Sequence, residues 1–362
     1  MALRAGLRFM STAARSSLKI GLLPGDGIGH EVIPAAKEAI EALGSSIPKP
    51  EFVSLNAGFE YFARKGVALP EETVQILKNE CDCALFGAVN SPSRKVTGYS
   101  SPIVALRKQL DLYANIRPVV SVAENPEDKP DVDLVVVREN TECLYIKDET
   151  TTIGPNGREA RATRLITERA SRRIGKSAFE LALNRPRKHL TIVHKSNVLS
   201  ITDGLFRETV RFVPKSIEPV GKYDEVTIAE QLVDSAVYKL FREPQVFDVM
   251  VAPNLYGDII SDAAAALVGS LGLIPSINSG DSFVMGEPVH GSAPDITGKG
   301  IANPIASIRS AALMLHTLGY GDAASRIDRA VNQVLREGQY LTPDLGGSAK
   351  TDEVTKEILK RI

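Results

Sequence analysis

Val249-Met-Val-Ala252-Pro253-Asn254-Leu-Tyr-Gly257-Asp258-Ile-Ile-Ser-Asp262 is the stretch that decides the fold. Four apolar residues in a row, stopped by Pro253 and Asn254 and followed by helical spacing, read as a strand buried on both faces that feeds a helix. The pattern recurs in Cys83-Ala-Leu-Phe-Gly87, Leu134-Val-Val-Val137 and Leu190-Thr-Ile-Val193, each followed by polar residues and a helical stretch. Nearer the start, Leu18-Lys-Ile-Gly-Leu-Leu-Pro24 is a strand entering a glycine-rich loop. After it, Val32, Ile33, Ala36, Ile40 and Leu43 fall on one side of a helix over Glu31 to Leu43. Pro70-Glu-Glu has the chemistry of a first helical turn, where Pro gives up an unneeded N–H and acids meet the positive helix end. Buried strands alternating with crossover helices predict an α/β fold with a mostly parallel sheet.

The 362 residues suffice for two domains or one large one. Hydrophobic residues make up 43% and charged residues 24%, as in ordinary globular chains. A formal net charge of −1 gives no global basic surface for nucleic acid or anionic lipid. No apolar run reaches the roughly 18 residues of a membrane span. Cys81, Cys83 and Cys143 are too few, and wrongly spaced, for a disulfide framework or a thiolate zinc site, which fits a reducing interior. Three segments break the alternation: a solvated loop over Val122 to Asp133, a hairpin arm over Thr150 to Arg164, and a polar excursion over Arg211 to Asp224. With no repeat and no long linker, two lobes sharing one chain are expected. The larger takes 18–110 and 266–362, and the smaller takes 111–265. Residues 1–17 carry Arg4, Arg8 and Arg15 with several hydroxyls and no acid, the composition of a mitochondrial transit peptide.

Two glycine motifs fail as phosphate cradles. Gly25-Asp-Gly27-Ile-Gly29 lies between a strand and a helix, but the dinucleotide fingerprint needs its third glycine where this chain has His30. A tight turn supported by Asp26 is the better reading. Gly175-Lys-Ser177 lacks the glycine five places earlier, where Ala170 stands, and reads as part of a surface helix. Neither a zinc-peptidase nor a nucleophile-elbow motif occurs.

What remains lies at the carboxyl ends of the expected strands, where open α/β sheets bind ligands. Arg138-Glu-Asn140 with Tyr145, His194-Lys195-Ser-Asn197, and Asn254 with Asp258 and Asp262 occupy three such ends. Asp258 and Asp262 sit four apart at a helix start and share a face, a repulsion of about 0.2–0.5 kcal/mol unless positive charge compensates. Oxygen ligands without nearby His or Cys favour Mg²⁺ or Mn²⁺. Arg107, Arg117 and Arg138 suit bidentate carboxylate recognition and read as clamps for a polyanionic small acid. Lys195 and Tyr145 would move protons: a cation and arginines nearby favour the neutral form of Lys195, and Lys195 ranks above His194 as base because a strand-end histidine is more often packed.

Six ordered motifs resemble the metal-dependent β-decarboxylating dehydrogenases, the isocitrate, isopropylmalate and homoisocitrate enzymes. They are Gly25-Asp-Gly-Ile-Gly29, Arg107 with Arg117-Pro, Arg138-Glu-Asn-Thr-Glu142, His194-Lys-Ser-Asn197, Asn254-Leu-Tyr-Gly-Asp258-Ile-Ile-Ser-Asp262 and Glu287-Pro-Val-His-Gly-Ser-Ala-Pro-Asp295. The match runs from about Leu18 to the C-terminus and implies the family's two-lobed fold without a Rossmann fingerprint. Gly98-Tyr-Ser-Ser-Pro-Ile-Val-Ala-Leu-Arg107 and Tyr145-Ile-Lys look most like the fungal mitochondrial homoisocitrate branch of lysine biosynthesis. That branch carries out NAD-dependent oxidation and decarboxylation of homoisocitrate to 2-oxoadipate. Isocitrate and 3-isopropylmalate are the alternative substrates, and a non-catalytic regulatory subunit is the alternative class.

The resemblance also assigns residues. It implies a divalent cation on Asp258, Asp262 and, from a partner subunit, Asp234. Lys195 takes the hydroxyl proton, Tyr145 returns one to carbon, and Arg107, Arg117 and Arg138 hold carboxylates. Ser91 and Asn197 touch substrate or nicotinamide, and Ser91, Arg94, Ser100 and Ser101 are candidates for the distal carboxylate. NAD is implied on Val89, Asn90, Ser91, Asn197, His290, Gly291, Ser292, Ala293, Pro294, Asp295 and Asn303. The Asp295 carboxylate would accept from ribose hydroxyls and repel a 2′-phosphate. A homodimer or larger assembly with shared active sites is implied, the Thr150–Arg164 arm serving as clasp. The expected partner is a small tricarboxylate, with neither nucleic acid nor membrane, in the mitochondrial matrix.

Overall fold

The computed structural model describes residues 16–92, 94, 96–125 and 131–362. Most of the expected transit segment, and the middle of the Val122–Asp133 loop, therefore lie outside the described residues. The chain clusters into two units. The smaller takes in Tyr113–Asn115 and Asp133–Ala264, and the larger holds the rest of the described chain.

The larger unit begins with β1 (Ser17–Gly25), α1 (Gly29–Glu41), β2 (Lys49–Ser54), α2 (Phe59–Lys65), α3 (Glu71–Asn79) and β3 (Cys83–Ala88). Next come α4 (Pro102–Gln109) and β4 (Ala114–Val120). The smaller unit follows as β5 (Asp133–Glu139), β6 (Glu149–Gly154), β7 (Gly157–Ala162), α5 (Glu168–Leu183) and β8 (His189–His194). It continues through α6 (Thr202–Ser216), β9 (Thr227–Leu232), α7 (Val233–Arg242), β10 (Val249–Ala252) and α8 (Asn254–Ala266). The chain then re-enters the larger unit with β11 (Ile277–Ser279), β12 (Val284–Gly286), α9 (Ile305–Thr317), α10 (Gly321–Glu337) and α11 (Thr351–Leu359).

In the larger unit the strand order is β2-β1-β3-β12-β11-β4; β1 runs parallel to β2 and β3, β12 runs parallel to β3, and β11 and β12 are antiparallel. Residues 116–132 belong to this unit rather than to the smaller one, because β4 takes its place beside β11. In the smaller unit the order is β5-β10-β8-β9, all parallel, with Arg138 level with Ala252 and His194 level with Leu232. All four carboxyl ends therefore open on one edge of that unit, which is where its functional side chains stand.

The continuous apolar runs are buried on both faces: Leu134 to Val137 and Val249 to Ala252 are inaccessible to solvent. Two segments depart from expectation. The polar excursion over 211–224 begins only after Ser216, because Phe206, Val210 and Val213, spaced four and three apart, extend the buried stripe of α6. Gly175 and Ser177 lie on the buried face of α5, not on a surface helix; a β-carbon on Gly175 would stand 3.0 Å from Val213 Cγ2. The hairpin β6–β7 forms where the arm is expected, and its side chains are almost all exposed. No helix among the described residues is long and apolar enough to cross a membrane.

Candidate active site

Asp258 is the hub of the smaller unit. Helix α8 starts at Asn254, so Asp258 lies a full turn inside it and the helix N-terminus is not what compensates its charge. Arg138 does so instead: its Nη1 donates to Asp258 Oδ1, and its Nε donates to Asn254 Oδ1 at 2.9 Å. Arg138 is 2% exposed, and its guanidinium lies 5.0 Å from the Tyr145 ring centre. The Tyr145 hydroxyl donates to Asp258 Oδ2 at 2.5 Å. Gly257 permits this closeness, since a β-carbon there would stand 2.7 Å from Arg138 Cβ.

Tyr145 is held by an overdetermined loop. Glu139 accepts from Thr141 N at 2.8 Å and Thr141 Oγ1 at 2.6 Å. Glu142 accepts from Thr167 N and Thr167 Oγ1, both at 2.8 Å. Burial pushes both carboxyls above the ordinary carboxylate range. The turn bearing Tyr145 is flanked by Cys143 and Lys147, non-glycine residues at φ 69° and 58°. Such conformations cost of order 1–3 kcal/mol each and persist where surrounding contacts impose them.

Lys195, just past β8, donates from Nζ to Asp234 Oδ1 at 2.6 Å. That contact holds the Asp234 carboxyl below its usual range. Asn197 and Asp262 are exposed. His194 is packed rather than catalytic. It is 5% exposed, Nδ1 lies 3.0 Å from Ser196 Oγ, and burial outweighs the opposing pull of Glu230 to push its imidazole down.

In the larger unit the glycine loop is a closed turn. Asp26, buried, accepts from Phe59 N, Glu60 N and Asn90 N, each at 2.8 Å. Gly27 N donates to Glu60 Oε1 at 2.9 Å and Ile28 N to Ser292 O at 3.0 Å, so the amides a phosphate would need are engaged. β-carbons at Gly25 and Gly29 would stand 1.9 Å from Ala88 O and Pro24 O, so those glycines serve close packing.

Arg107 and Arg117 are each 6% exposed. Arg107 Nη2 donates to Glu287 Oε2 at 3.1 Å, whereas its buried Nε has no partner. A buried, unsatisfied guanidinium N–H fits an incoming carboxylate. Val89 and Asn90 are partly buried just past β3, while Ser91 is exposed. On the later loop Gly291, Pro294 and Asp295 are exposed, Ala293 is partly buried and Ser292 is buried. His290 Nδ1 donates to Gly291 O, 3.0 Å away, and its buried Nε2 has no partner. Burial pushes that imidazole down, so its neutral form is favoured. Asn303 is spoken for: its amide donates to Asp344 at 3.0 Å and its oxygen accepts from Ile305 N at 3.0 Å.

The expected residues thus form two sets, each assembled within its own unit. No cluster of three or more His, Cys, Asp or Glu side chains suited to a metal forms among the described residues, so this chain alone does not gather Asp234 with Asp258 and Asp262. The sequence reading missed Asp203, Glu60 and Asp344, and it named Glu287 only as the start of a motif, without a partner. Glu287 meets Arg107, Glu60 meets Gly27 and Asp344 meets Asn303 at separations of 180, 33 and 41 residues, which no local spacing marks. Asp203 alone had a local signal, an acid in the first turn of the helix after Lys195.

The same architecture recurs in known proteins. A family model described as isocitrate/isopropylmalate dehydrogenase matches residues 19–358. A Thermus thermophilus protein named isocitrate/homoisocitrate dehydrogenase is 49% identical over 95% of this chain and 98% of its own length. A Methanocaldococcus jannaschii protein named 3-isopropylmalate/3-methylmalate dehydrogenase is 46% identical over 95% of this chain and 98% of its own. The crystal structure of isocitrate dehydrogenase from Methylococcus capsulatus superposes with a TM-score of 0.87 at 39% identity, covering 95% of this chain and 99% of that one. Fold and relatives define an oxidoreductase of the decarboxylating dehydrogenase class. The chain belongs to the isocitrate/isopropylmalate dehydrogenase family.

Proposed function

We propose that the chain oxidises homoisocitrate with NAD and releases CO₂, giving 2-oxoadipate for lysine biosynthesis in the mitochondrial matrix. The observation that carries the substrate assignment is the segment ahead of Arg107. Ile103 and Leu106 are buried in the core cluster, with Val104 packed against it. Ser100, exposed, and Ser101, partly buried, add hydroxyls to this turn, which with the partly buried Val104 and Ala105 makes it semi-polar. A polar, carboxylate-ended substituent would find hydroxyl donors on this turn that a purely hydrocarbon one would leave unused. The relative named for both isocitrate and homoisocitrate supports the same direction.

Asp258 and Asp262 fit a divalent cation by their oxygen-only chemistry, with Asp234 of the partner subunit as third ligand. The loop His290 to Asp295, with a buried acceptor open at His290 Nε2, fits a nicotinamide dinucleotide, and Asp295 favours NAD. When bound, the cation polarises the C2 hydroxyl and steadies the enolate, and NAD accepts the C2 hydride. Lys195 accepts the hydroxyl proton as the C2–H electron pair leaves, which creates a β-keto acid. Arg107, Arg117 and Arg138 hold its carboxylates while the C–C bond breaks and CO₂ departs. Tyr145, whose hydroxyl is a donor in this structure, returns a proton to the enol carbon. A second copy of the chain fits the exposed apolar side chains of Ile201 and Phe212 on or beside α6 and of Tyr238 and Phe241 on α7.

The test is NAD reduction with homoisocitrate, isocitrate and 3-isopropylmalate in the presence of Mg²⁺. Homoisocitrate should exceed both in kcat/KM by at least about tenfold; a higher value for either rival overturns the substrate assignment. NADP in place of NAD should lower kcat/KM. Fusing residues 1–17 to a reporter should direct it to mitochondria, and a reporter left in the cytosol would remove the location.

A further inference from the structure

One buried ion pair lies outside every role described so far. Asp203, in the first turn of α6, is 0% exposed. Its Oδ2 accepts the backbone N–H of Lys195 at 2.6 Å. Its Oδ1 pairs with Arg164 Nη2 at 2.8 Å. Arg164 comes two residues after the end of β7, and its Nη1 donates to the Tyr256 hydroxyl at 2.8 Å. The same guanidinium stacks 4.5 Å from the Tyr256 ring centre. Tyr256 lies two residues before Asp258 on α8.

We propose that Arg164 and Asp203 are positioning residues that lock the backbone of Lys195 to the helix carrying Asp258. The proposal rests on the reading of Lys195 as the base. A fully buried carboxylate survives only with partners, and here the partners are the base's own amide and a cation stacked on the metal-bearing helix. The turn between β8 and α6 is otherwise made of short local bonds, Val198 N and Leu199 N to Lys195 O, both at 2.9 Å. Those bonds order the turn internally, while its side chains reach further, Ser196 Oγ accepting from Arg207 Nη1 at 3.2 Å and Lys195 Nζ donating to Asp234. Asp203 is the group that holds the Lys195 main chain itself, and Arg164 holds Asp203. Because Arg164 ends the exposed arm, whatever holds that arm also bears on the base.

The experiment compares Asp203→Asn, Arg164→Met, Arg164→Lys and the double Asp203→Asn/Arg164→Met, with Lys195→Met as reference. Each full-length variant is measured for kcat, KM and backbone amide exchange over 195–199. Asp203→Asn and Arg164→Met should each lower kcat at least tenfold with KM for NAD within about threefold, and speed exchange of that segment while other protected regions stay unchanged. Arg164→Lys should recover most of the lost kcat, and the double variant should be no worse than the poorer single one, as expected for residues acting as a unit. Wild-type kcat and exchange in Arg164→Met overturn the proposal while leaving Lys195 untouched. Full activity in Lys195→Met overturns the base itself. If Asp203→Asn does not fold, the Arg164 pair of variants decides alone.

Discussion

At the residue scale the chemistry is set by who already holds whom. The Tyr145 hydroxyl donates a hydrogen bond to Asp258, and the Lys195 ammonium donates one to Asp234. Replacing Tyr145 with Phe or Lys195 with Met should cut overall turnover by about 10²–10⁴-fold, the usual worth of a positioned acid or base. Circular dichroism and melting temperature should be nearly unchanged; full activity in either removes that role. The buried histidines carry a pH signature. His194 and His290 are held neutral by burial, so their folded pKa values lie below the ordinary 6.5. Their contribution to stability is complete above pH 6.5 and is lost as pH falls from there toward the depressed values. Each can steepen the acid limb by up to about 1.4 kcal/mol per pH unit. Around His194 the charges are Glu230 and Asp203, which oppose the depression, and Arg207, which adds to it. His194→Asn should flatten the fall in melting temperature between pH 6.5 and 5.5; an unchanged slope would assign that lability to other groups.

The element scale shows where sequence patterns stop. Strand cores were legible because Val135, Val136 and Val137, like Val249, Met250 and Val251, admit no solvent on either face. The arm was legible because Gly154 and Gly157 punctuate a run with no apolar face. Asp26 was expected to support its turn, and it does so through three amides. What escaped was any contact whose two halves are distant in the chain, such as Arg107 with Glu287, 180 residues apart. Two replacements test element-level claims. Asp26→Ala strands buried amides and should cost on the order of 3 kcal/mol, read by urea denaturation. Gly257→Ala forces a methyl against the Arg138 side chain; it should cost about 1–3 kcal/mol and lower kcat/KM through the displaced guanidinium. An Asp26→Ala chain as stable as wild type would mean the turn holds itself.

For the whole molecule, the question is which groups one chain can assemble. The described residues supply arginines, Lys195, Tyr145 and two carboxylates on α8, but no three-carboxylate metal set. Assembly therefore matters to chemistry under the proposed reading. Removing residues 150–161 should leave both units folded yet shift the species in light scattering toward a single chain, with activity falling in parallel. A truncated protein that stays associated and active would end the clasp assignment. Chelation with EDTA should abolish turnover, and added Mg²⁺ should restore it.

The β6–β7 arm has one more consequence. It exposes Arg158 and Arg161 on a two-stranded ribbon with no core of its own. Such ribbons are marginal in water and yield readily to proteases. A lone protomer should therefore be nicked first by trypsin at this ribbon, and dilution should hasten the cut. The rate of that single cleavage against protein concentration would then serve as a ruler for self-association, needing neither substrate nor catalysis.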